Sequence, residues 1–254
     1  MLNEKISKKL KLLKIVLFVY DFPHRKSLYG MQIIKNLNYS NVLVLSAPFR
    51  KLNIENSKLK ISVFEKEFIN PSDLTIAYNW KVLIDDHNSQ NIQNNLLEYK
   101  PDLGIILGSR ILSRNIIDKF KLGIVNFHPG VLPENRGLDN LKWAVYKSLP
   151  QGVTTHFIDK DIDVGKQIYL ELVEVEKLDT LQDINSKLFY TQMKHLQTLL
   201  ISDVERLKTI TLNKNYSSHK PVPQKIDEKI PNLLNLYKKN YKDIIKNYIQ
   251  NEKM

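Results

Sequence analysis

Residues 123–165 read GIVNFHPGVLPENRGLDNLKWAVYKSLPQGVTTHFIDKDIDVG, and this stretch decides how the rest of the chain is read. It opens on an apolar run, Gly123-Ile124-Val125, with the character of a buried strand. It then delivers Asn126, His128 and Pro129 into a loop punctuated by Pro133 and Gly137. Apolar residues at helical spacing follow over 138–147. A second strand is expected over 153–158, closing in the acidic turn Asp159-Lys160-Asp161-Ile162-Asp163-Val164-Gly165. Seven of the chain's eight glycines fall between Gly104 and Gly165, and glycine permits tight turns and close backbone approach to a ligand. A carboxamide, an imidazole and a carboxylate delivered from strand ends is an α/β layout, with ligands beyond the carboxyl ends of the strands.

Working outward, residues 15–20 are wholly apolar, as a central parallel strand should be. Asp21-Phe22-Pro23-His24 reads as a turn, 28–37 as a helix, and 42–46 as a second strand closed by Pro48. The alternation over 59–64 predicts a third strand at an edge, while 72–84, with Tyr78-Asn79-Trp80, fits no single element. A polar helix over 88–99 stops ahead of Pro101, a buried strand follows over 102–107, and 113–120 makes a short helix capped by Ser113. Beyond the central block come a strand over 167–175 and a long amphipathic helix over 180–207. This alternation predicts a Rossmann-like, mostly parallel, right-handed α/β sheet flanked by helices. From Asn213 the character changes, with Pro221, Pro223 and Pro231 in a polar segment and helical spacing over 233–249. The division expected is a catalytic domain, 1–207, and a C-terminal extension, 208–254, packed on the core or on a second subunit.

A chain of 254 residues can bury a full core as one domain with an appendage. Its 43% hydrophobic and 9% aromatic content is that of an ordinary globular protein. Without cysteine there are no disulfides, thiolate nucleophiles or thiolate zinc sites, and cytoplasm is the compartment expected. The net charge of +11 is carried mostly by lysine amid Asn and Ile enrichment. That is a compositional bias, or a field that draws in anionic ligands. Residues 5–20 resemble a signal peptide only superficially, since Lys14 interrupts the apolar run and no A-x-A-like site follows. No run approaches the roughly eighteen apolar residues of a membrane span. His24, His87, His195 and His219 show no metal-ligand spacing, so no metal and no membrane are expected.

The central block resembles the folate-dependent formyltransferases, which include the glycinamide ribonucleotide, methionyl-tRNA and nucleotide-sugar N-formyltransferases. These share N-x-H-P-x-x-L-P, here Asn126-Phe127-His128-Pro129-Gly130-Val131-Leu132-Pro133, and a later D-x-G, here Asp163-Val164-Gly165 after Gly152-Val153-Thr154-Thr155-His156. Residues 105–113, IILGSRILS, resemble the strand and loop that hold the folate pterin. The resemblance is clear over 101–181 and faint elsewhere. It implies the formyltransferase fold and transfer of a formyl group from N10-formyltetrahydrofolate to an amine, with Asn126, His128 and Asp163 catalytic. It also implies folate contacts at Arg110, Ile111, Leu112, Asp159 and Asp163. In that chemistry an amine attacks the formyl carbon, an oxyanion develops, and the folate nitrogen leaves with a proton. Asn126 would donate to the oxyanion, a contribution of about 3–4 kcal/mol. His128 suits hydrogen bonding or proton transfer, and Asp163 would orient it or relay the proton. Taken one at a time, Asn126 and Asp163 are also ordinary turn residues, and His156 either supports the loop or is a satisfied buried histidine.

The acceptor is narrowed by departures from the family pattern. The glycinamide ribonucleotide enzymes carry a glycine-containing phosphate loop after the first strand, where this chain has Asp21-Phe22-Pro23-His24-Arg25-Lys26. The methionyl-tRNA enzymes are usually longer, with a C-terminal β-barrel that 208–254 is too short to form. Arg136-Gly137-Leu138-Asp139-Asn140-Leu141-Lys142-Trp143-Ala144 resembles the R-G-L-D-x-x-x-W-A of the nucleotide-sugar enzymes. That implies substrate contacts at Arg136, Gly137 and Asp139, a homodimer, and a role in cell-surface glycan, O-antigen or lipopolysaccharide biosynthesis. The acceptor expected is dTDP-4-amino-4,6-dideoxyglucose. A 3-amino isomer, a UDP carrier, methionyl-tRNA and glycinamide ribonucleotide stand as alternatives. A basic nucleic-acid-binding protein would explain the charge but leaves the central motifs unexplained, so no nucleic-acid partner is expected. No G-x-G-x-x-G follows the first strand, which argues against a dinucleotide enzyme.

Overall fold

Strand β1 (Ile15–Tyr20) is buried from Ile15 to Val19, which requires protein on both of its faces. Ile15, Leu17 and Val19 belong to one apolar cluster, and Val16 and Phe18 to another. The computed structural model describes residues 12–50, 69–161 and 163–251. Around β1 lie β2 (Val42–Ala47), β3 (Lys81–Ile84), β4 (Leu103–Ile106), β5 (Gly123–His128), β6 (Gly152–Ile158), β7 (Gly165–Leu172) and β8 (Ile210–Thr211). They form one eight-stranded sheet in the order β3-β2-β1-β4-β5-β6-β7-β8. The five strands from β3 to β5 pair in parallel, and β6, β7 and β8 add antiparallel neighbours. The chain leaves β1 for β2 on one side and returns to β4 on the other. This is a switch point, where an open α/β sheet leaves a crevice at its carboxyl edge.

Helices α1 (Arg25–Asn36) and α6 (Leu181–Ile201) cover one face through Met31, Ile34, Leu196 and Leu199. Helices α3 (Gln90–Tyr99) and α4 (Arg114–Ile117) cover the other through Ile92, Leu96 and Ile116. Ser89 caps α3 by accepting from the Ile92 amide, and Thr180 and Asp183 form a reciprocal capping box on α6, which satisfies amides that have no partner inside the helix. No described helix is long and apolar enough to cross a membrane.

Local chemistry moved several boundaries. The unassigned stretch 72–84 holds α2 (Pro71–Tyr78), which begins on proline and ends in a left-handed Asn79, and then β3. The edge strand expected over 59–64 lies outside the described residues. Ser113 stands at the N-cap of α4 but makes no cap bond, so the expected serine cap is absent, and its hydroxyl is buried without a partner. The long helix expected to reach residue 207 stops at Ile201, because Ser202 turns extended and a single 3-10 turn follows at Val204–Arg206.

The C-terminal segment folds back on its own chain. Helices α5 (Asn140–Lys147), α7 (Gln224–Asp227) and α8 (Ile230–Asn251) close a third apolar cluster, in which Ile230, Leu234, Tyr237 and Tyr241 meet Leu141, Val145, Val153 and Leu188. The Tyr241 hydroxyl donates to the Val173 carbonyl at 2.7 Å and the Tyr237 hydroxyl to Leu149 at 2.7 Å. Lys142 of α5 and Asp227 of α7 form an ion pair at 2.6 Å with side chains 5% and 1% exposed. Removing one partner of such a pair strands a buried charge and costs about 3–5 kcal/mol, whereas replacing both with apolar groups is often near neutral. Urea unfolding is therefore expected to show Asp227→Leu strongly destabilised and Lys142→Met/Asp227→Leu largely restored.

Candidate active site

β5 presents Asn126 and His128 on one face because strand side chains alternate. Its ladder with β4 ends at Ile106↔Asn126, and on the other side Asn126 faces His156 and His128 faces Thr154. β6 runs antiparallel and ends beside the amino end of β5, with Val125 opposite Phe157. The turn 159–164 therefore has to travel back to bring Asp163 to His128. It does so with Asp163 in a left-handed conformation (φ 47°), a region that aspartate tolerates better than most residues.

Asp163 Oδ1 lies 3.3 Å from His128 Nδ1, and Asp163 Oδ2 accepts from the Gly137 amide at 2.8 Å. The other ring nitrogen of His128, Nε2, donates to the Asn135 carbonyl at 2.8 Å. Acceptors thus face both ring nitrogens. Gly130 makes room for this contact, since a Cβ there would stand 2.8 Å from both His128 Nε2 and the Asn135 oxygen. Burial pushes the Asp163 carboxyl upward, but the charge and hydrogen bond of His128 and the Gly137 amide outweigh it and hold it at about 2. Asp163 is an anion throughout the neutral range.

Asn126 is oriented from β6. Its Nδ2 lies 3.5 Å from His156 Nε2, while His156 Nδ1 donates to the Val164 carbonyl at 3.2 Å. That carbonyl assigns the ring proton to Nδ1 and leaves Nε2 to accept from Asn126. His156 is fully buried, and burial together with the positive charge of His128 lowers it to about 4, so the ring stays neutral. One imidazole ties the carboxamide to the residue that follows Asp163. The alternation along β6 carries the sequence signal for this, since His156 and Thr154 are the register partners of Asn126 and His128 and share their face of the sheet.

The R-G-L-D-x-x-x-W stretch binds the chain's own C-terminal strap. Arg136 is buried and donates to the Tyr216 carbonyl at 2.6 Å. Gly137 forms a bridge with His219 at φ 98°, and a Cβ there would collide with the His219 backbone. Asp139 Oδ2 accepts from the Val222 amide at 2.9 Å. Trp143 stacks on His219 and donates to the Lys220 carbonyl at 2.8 Å. Lys147 Nζ donates to His219 Nε2 at 2.7 Å, and His219 Nδ1 faces Asn135 Oδ1 at 3.3 Å. Asn135 in turn holds His128, so the strap reaches the His128–Asp163 pair through two contacts, Gly137 and Asn135.

The loop after β4 leaves from Ile106, the partner of Asn126, and runs toward the ends of β1 and β2, where Ser109 meets Tyr20 and His87 and the Ile111 carbonyl accepts from Asn88. Arg110 donates to the Arg50 carbonyl at 3.1 Å, Leu112 turns into the core at 5% exposure, and Ile111 points outward at 65%. Asp159 follows β6 and pairs with Lys214 at 3.0 Å, at the far end of the turn that carries Asp163. Among the described residues no cluster of His, Asp and Glu is placed to hold a metal.

A sequence model of the formyl transferase family matches residues 13–200. The chain belongs to that family. The methionyl-tRNA formyltransferase of Alkaliphilus oremlandii is 27% identical over 135 residues, 52% of this chain and 44% of that protein. The Bacteroides thetaiotaomicron enzyme of the same name is 34% identical over 94 residues, 37% of this chain and 29% of its own. The matches thus span less than half the length of these relatives. Among solved structures, a sugar N-formyltransferase from Shewanella sp FDAARGOS_354 superposes with TM-score 0.58 at 19% identity, covering 85% of this chain and 87% of its own. The Helicobacter canadensis N-formyltransferase, in complex with folinic acid and dTDP-3-aminofucose, gives 0.60 at 16%, covering 84% and 73%. The phosphoribosylglycinamide formyltransferase of Bacillus halodurans gives 0.57 at 20%, covering 74% and 94%. Identities this low establish the shared fold, which sugar and phosphoribosylglycinamide formyltransferases both adopt.

Two measurements check this geometry. His156 is near 4 in the fold and near 6.5 unfolded, so between these values the unfolded chain holds the extra proton. Its contribution to stability is complete above about pH 6.5 and is lost as pH falls toward 4, at up to about 1.4 kcal/mol per pH unit. His156→Gln should flatten the stability profile of urea titrations across that window. Gly137→Ala combines a left-handed φ with a backbone collision and should cost about 2 kcal/mol or more. It should also release the strap, read as faster amide exchange over 213–222.

Proposed function

We propose that this formyltransferase transfers the formyl group of N10-formyltetrahydrofolate to the amino group of a nucleotide-linked amino sugar. The acceptor favoured is dTDP-4-amino-4,6-dideoxyglucose, in the assembly of cell-surface glycans. The observation that carries the transfer is the convergence of Asn126, His128 and Asp163, from β5 and the turn after β6, onto one site at the carboxyl edge of the sheet.

The loop after β4 fits a pterin. It contributes a buried hydroxyl without a partner on Ser113 and the exposed apolar side chain of Ile111, beside backbone groups at Arg110 and Leu112. The formylated folate supplies an electrophilic formyl carbon and a leaving nitrogen. Asn126 uses one amide hydrogen toward His156 and keeps the other for the formyl oxygen as negative charge develops there. Asp163 relays the proton that the attacking amine loses to the departing folate nitrogen, and His128 holds that carboxylate in place. Arg136, Gly137 and Asp139 shape the acceptor side through the strap and the Gly137–Asp163 bond.

The sugar acceptor is supported by three features. The connection after β1 has no glycine to cradle a single phosphate, the C-terminal segment is a helical layer on α5, and sugar N-formyltransferases are among the structures that share the fold. The test is mass analysis after incubation with formylfolate and a panel of dTDP-4-amino, dTDP-3-amino and UDP-4-amino sugars, glycinamide ribonucleotide and methionyl-tRNA. A formyl gain on the dTDP-4-amino sugar is expected, and formylation of methionyl-tRNA or glycinamide ribonucleotide alone refutes the sugar reading. Asn126→Ala should lower kcat by about a hundredfold or more with the melting temperature unchanged.

A further inference from the structure

Helix α1 starts with two cations, Arg25 and Lys26, and has no acidic residue in its first turn. That is the unfavourable end of a helix for positive charge, so both side chains need another reason to be there. Arg25 has one, since its guanidinium lies 3.8 Å from the centre of the Phe189 ring, with Tyr29 and Tyr190 alongside. The Lys26 side chain instead crosses the carboxyl edge of the sheet. Its Nζ donates to the Phe127 carbonyl at 2.9 Å and lies 5.7 Å from the centre of the Phe127 ring. Phe127 stands between Asn126 and His128, just past the last residue of β5 that pairs with β4. One donor of the ammonium is used there, and Asp163 is close enough to act on it electrostatically.

We propose that Lys26 is a positioning residue of the transfer site, holding the backbone between Asn126 and His128 and setting a positive charge beside Asp163. This rests on the formyl-transfer reading. The charge disfavours a protonated acceptor amine, which cannot attack, and favours negative charge on the formyl oxygen. The titratable groups that act on it are Asp163 from the turn after β6 and His24 from its own turn. His24, lowered to about 4 by burial and then by Lys26 itself, is neutral beside it. Burial lowers Lys26 to about 7 against the opposing pull of Asp163, so the ammonium is lost as pH rises through neutrality, whereas an arginine at this position stays charged.

The test compares the full-length native chain with Lys26→Met and Lys26→Arg. Rates are measured from pH 6 to 9 on the amine that the mass panel identifies. The native rate should fall on the alkaline side near pH 7. Lys26→Met should lower kcat about tenfold or more, leave KM for formylfolate within about twofold, and lose the alkaline limb. Lys26→Arg should restore rate at high pH. A second arm needs no turnover and separates failure here from failure of the functional reading. The Asp163 carboxyl, followed by carbon NMR in the free protein, should titrate at higher pH in Lys26→Met than in the native chain or Lys26→Arg. A native-like rate profile in Lys26→Met, or an unmoved Asp163 titration, overturns the proposal.

Discussion

The contact between His128 and Asp163 is the constraint on which this end of the molecule depends. Neither residue can be moved alone. His128 is fixed by the pleat of β5 and by the Asn135 carbonyl, and Asp163 is fixed by the Gly137 amide and by the His156–Val164 bond. Because β6 runs away from the carboxyl edge, the chain needs a returning turn, a left-handed aspartate and a glycine at 165 (φ 123°) to bring the carboxylate back. An acidic turn that looks like solvated surface is, in the fold, the second wall of the site.

The strap over Arg136–Gly137 gives that wall a backing. A sheet and its helices can place Asn126 and His128, but the Gly137 amide points at Asp163 only while the segment 135–139 keeps its shape. That shape is held by backbone and side-chain bonds to residues 214–222. The buried Lys142–Asp227 pair and the two tyrosines of α8 then fasten the segment beyond the strap to α5 and the sheet. The C-terminal residues thus take part in the geometry around the His128–Asp163 pair, and β8, which pairs with β7, extends the sheet into them.

Apolar patterning was the most legible feature of the fold. The continuous runs over 15–20, 42–46 and 102–107 announce strands covered on both faces, and the central block carries the motif spacing. Weakly patterned elements were harder. Lys81–Ile84 is an edge strand with exposed ends, so it lacks the run or the alternation that marks β1, and Ser113 carries a capping side chain without a cap bond. The end of α6 was overestimated because helical spacing continues past Ser202 while the backbone does not.

The sequence by itself determined the family and the fold class, because strand runs, turn residues and motif spacing are local and ordered along the chain. Only the tertiary structure decided what each side chain touches. Arg136 and Asp139 look like ligand contacts in sequence and give hydrogen bonds to or take them from residues some eighty positions away, while Gly137 gives its amide to Asp163. Lys26 carries no signal in the sequence and lies against Phe127, and His156, for which the sequence leaves loop support and a satisfied core histidine both open, lies against Asn126. Such pairings arise from long-range packing, in which a residue's partner is set by sheet order and chain return, and neither quantity is written in the residues beside it.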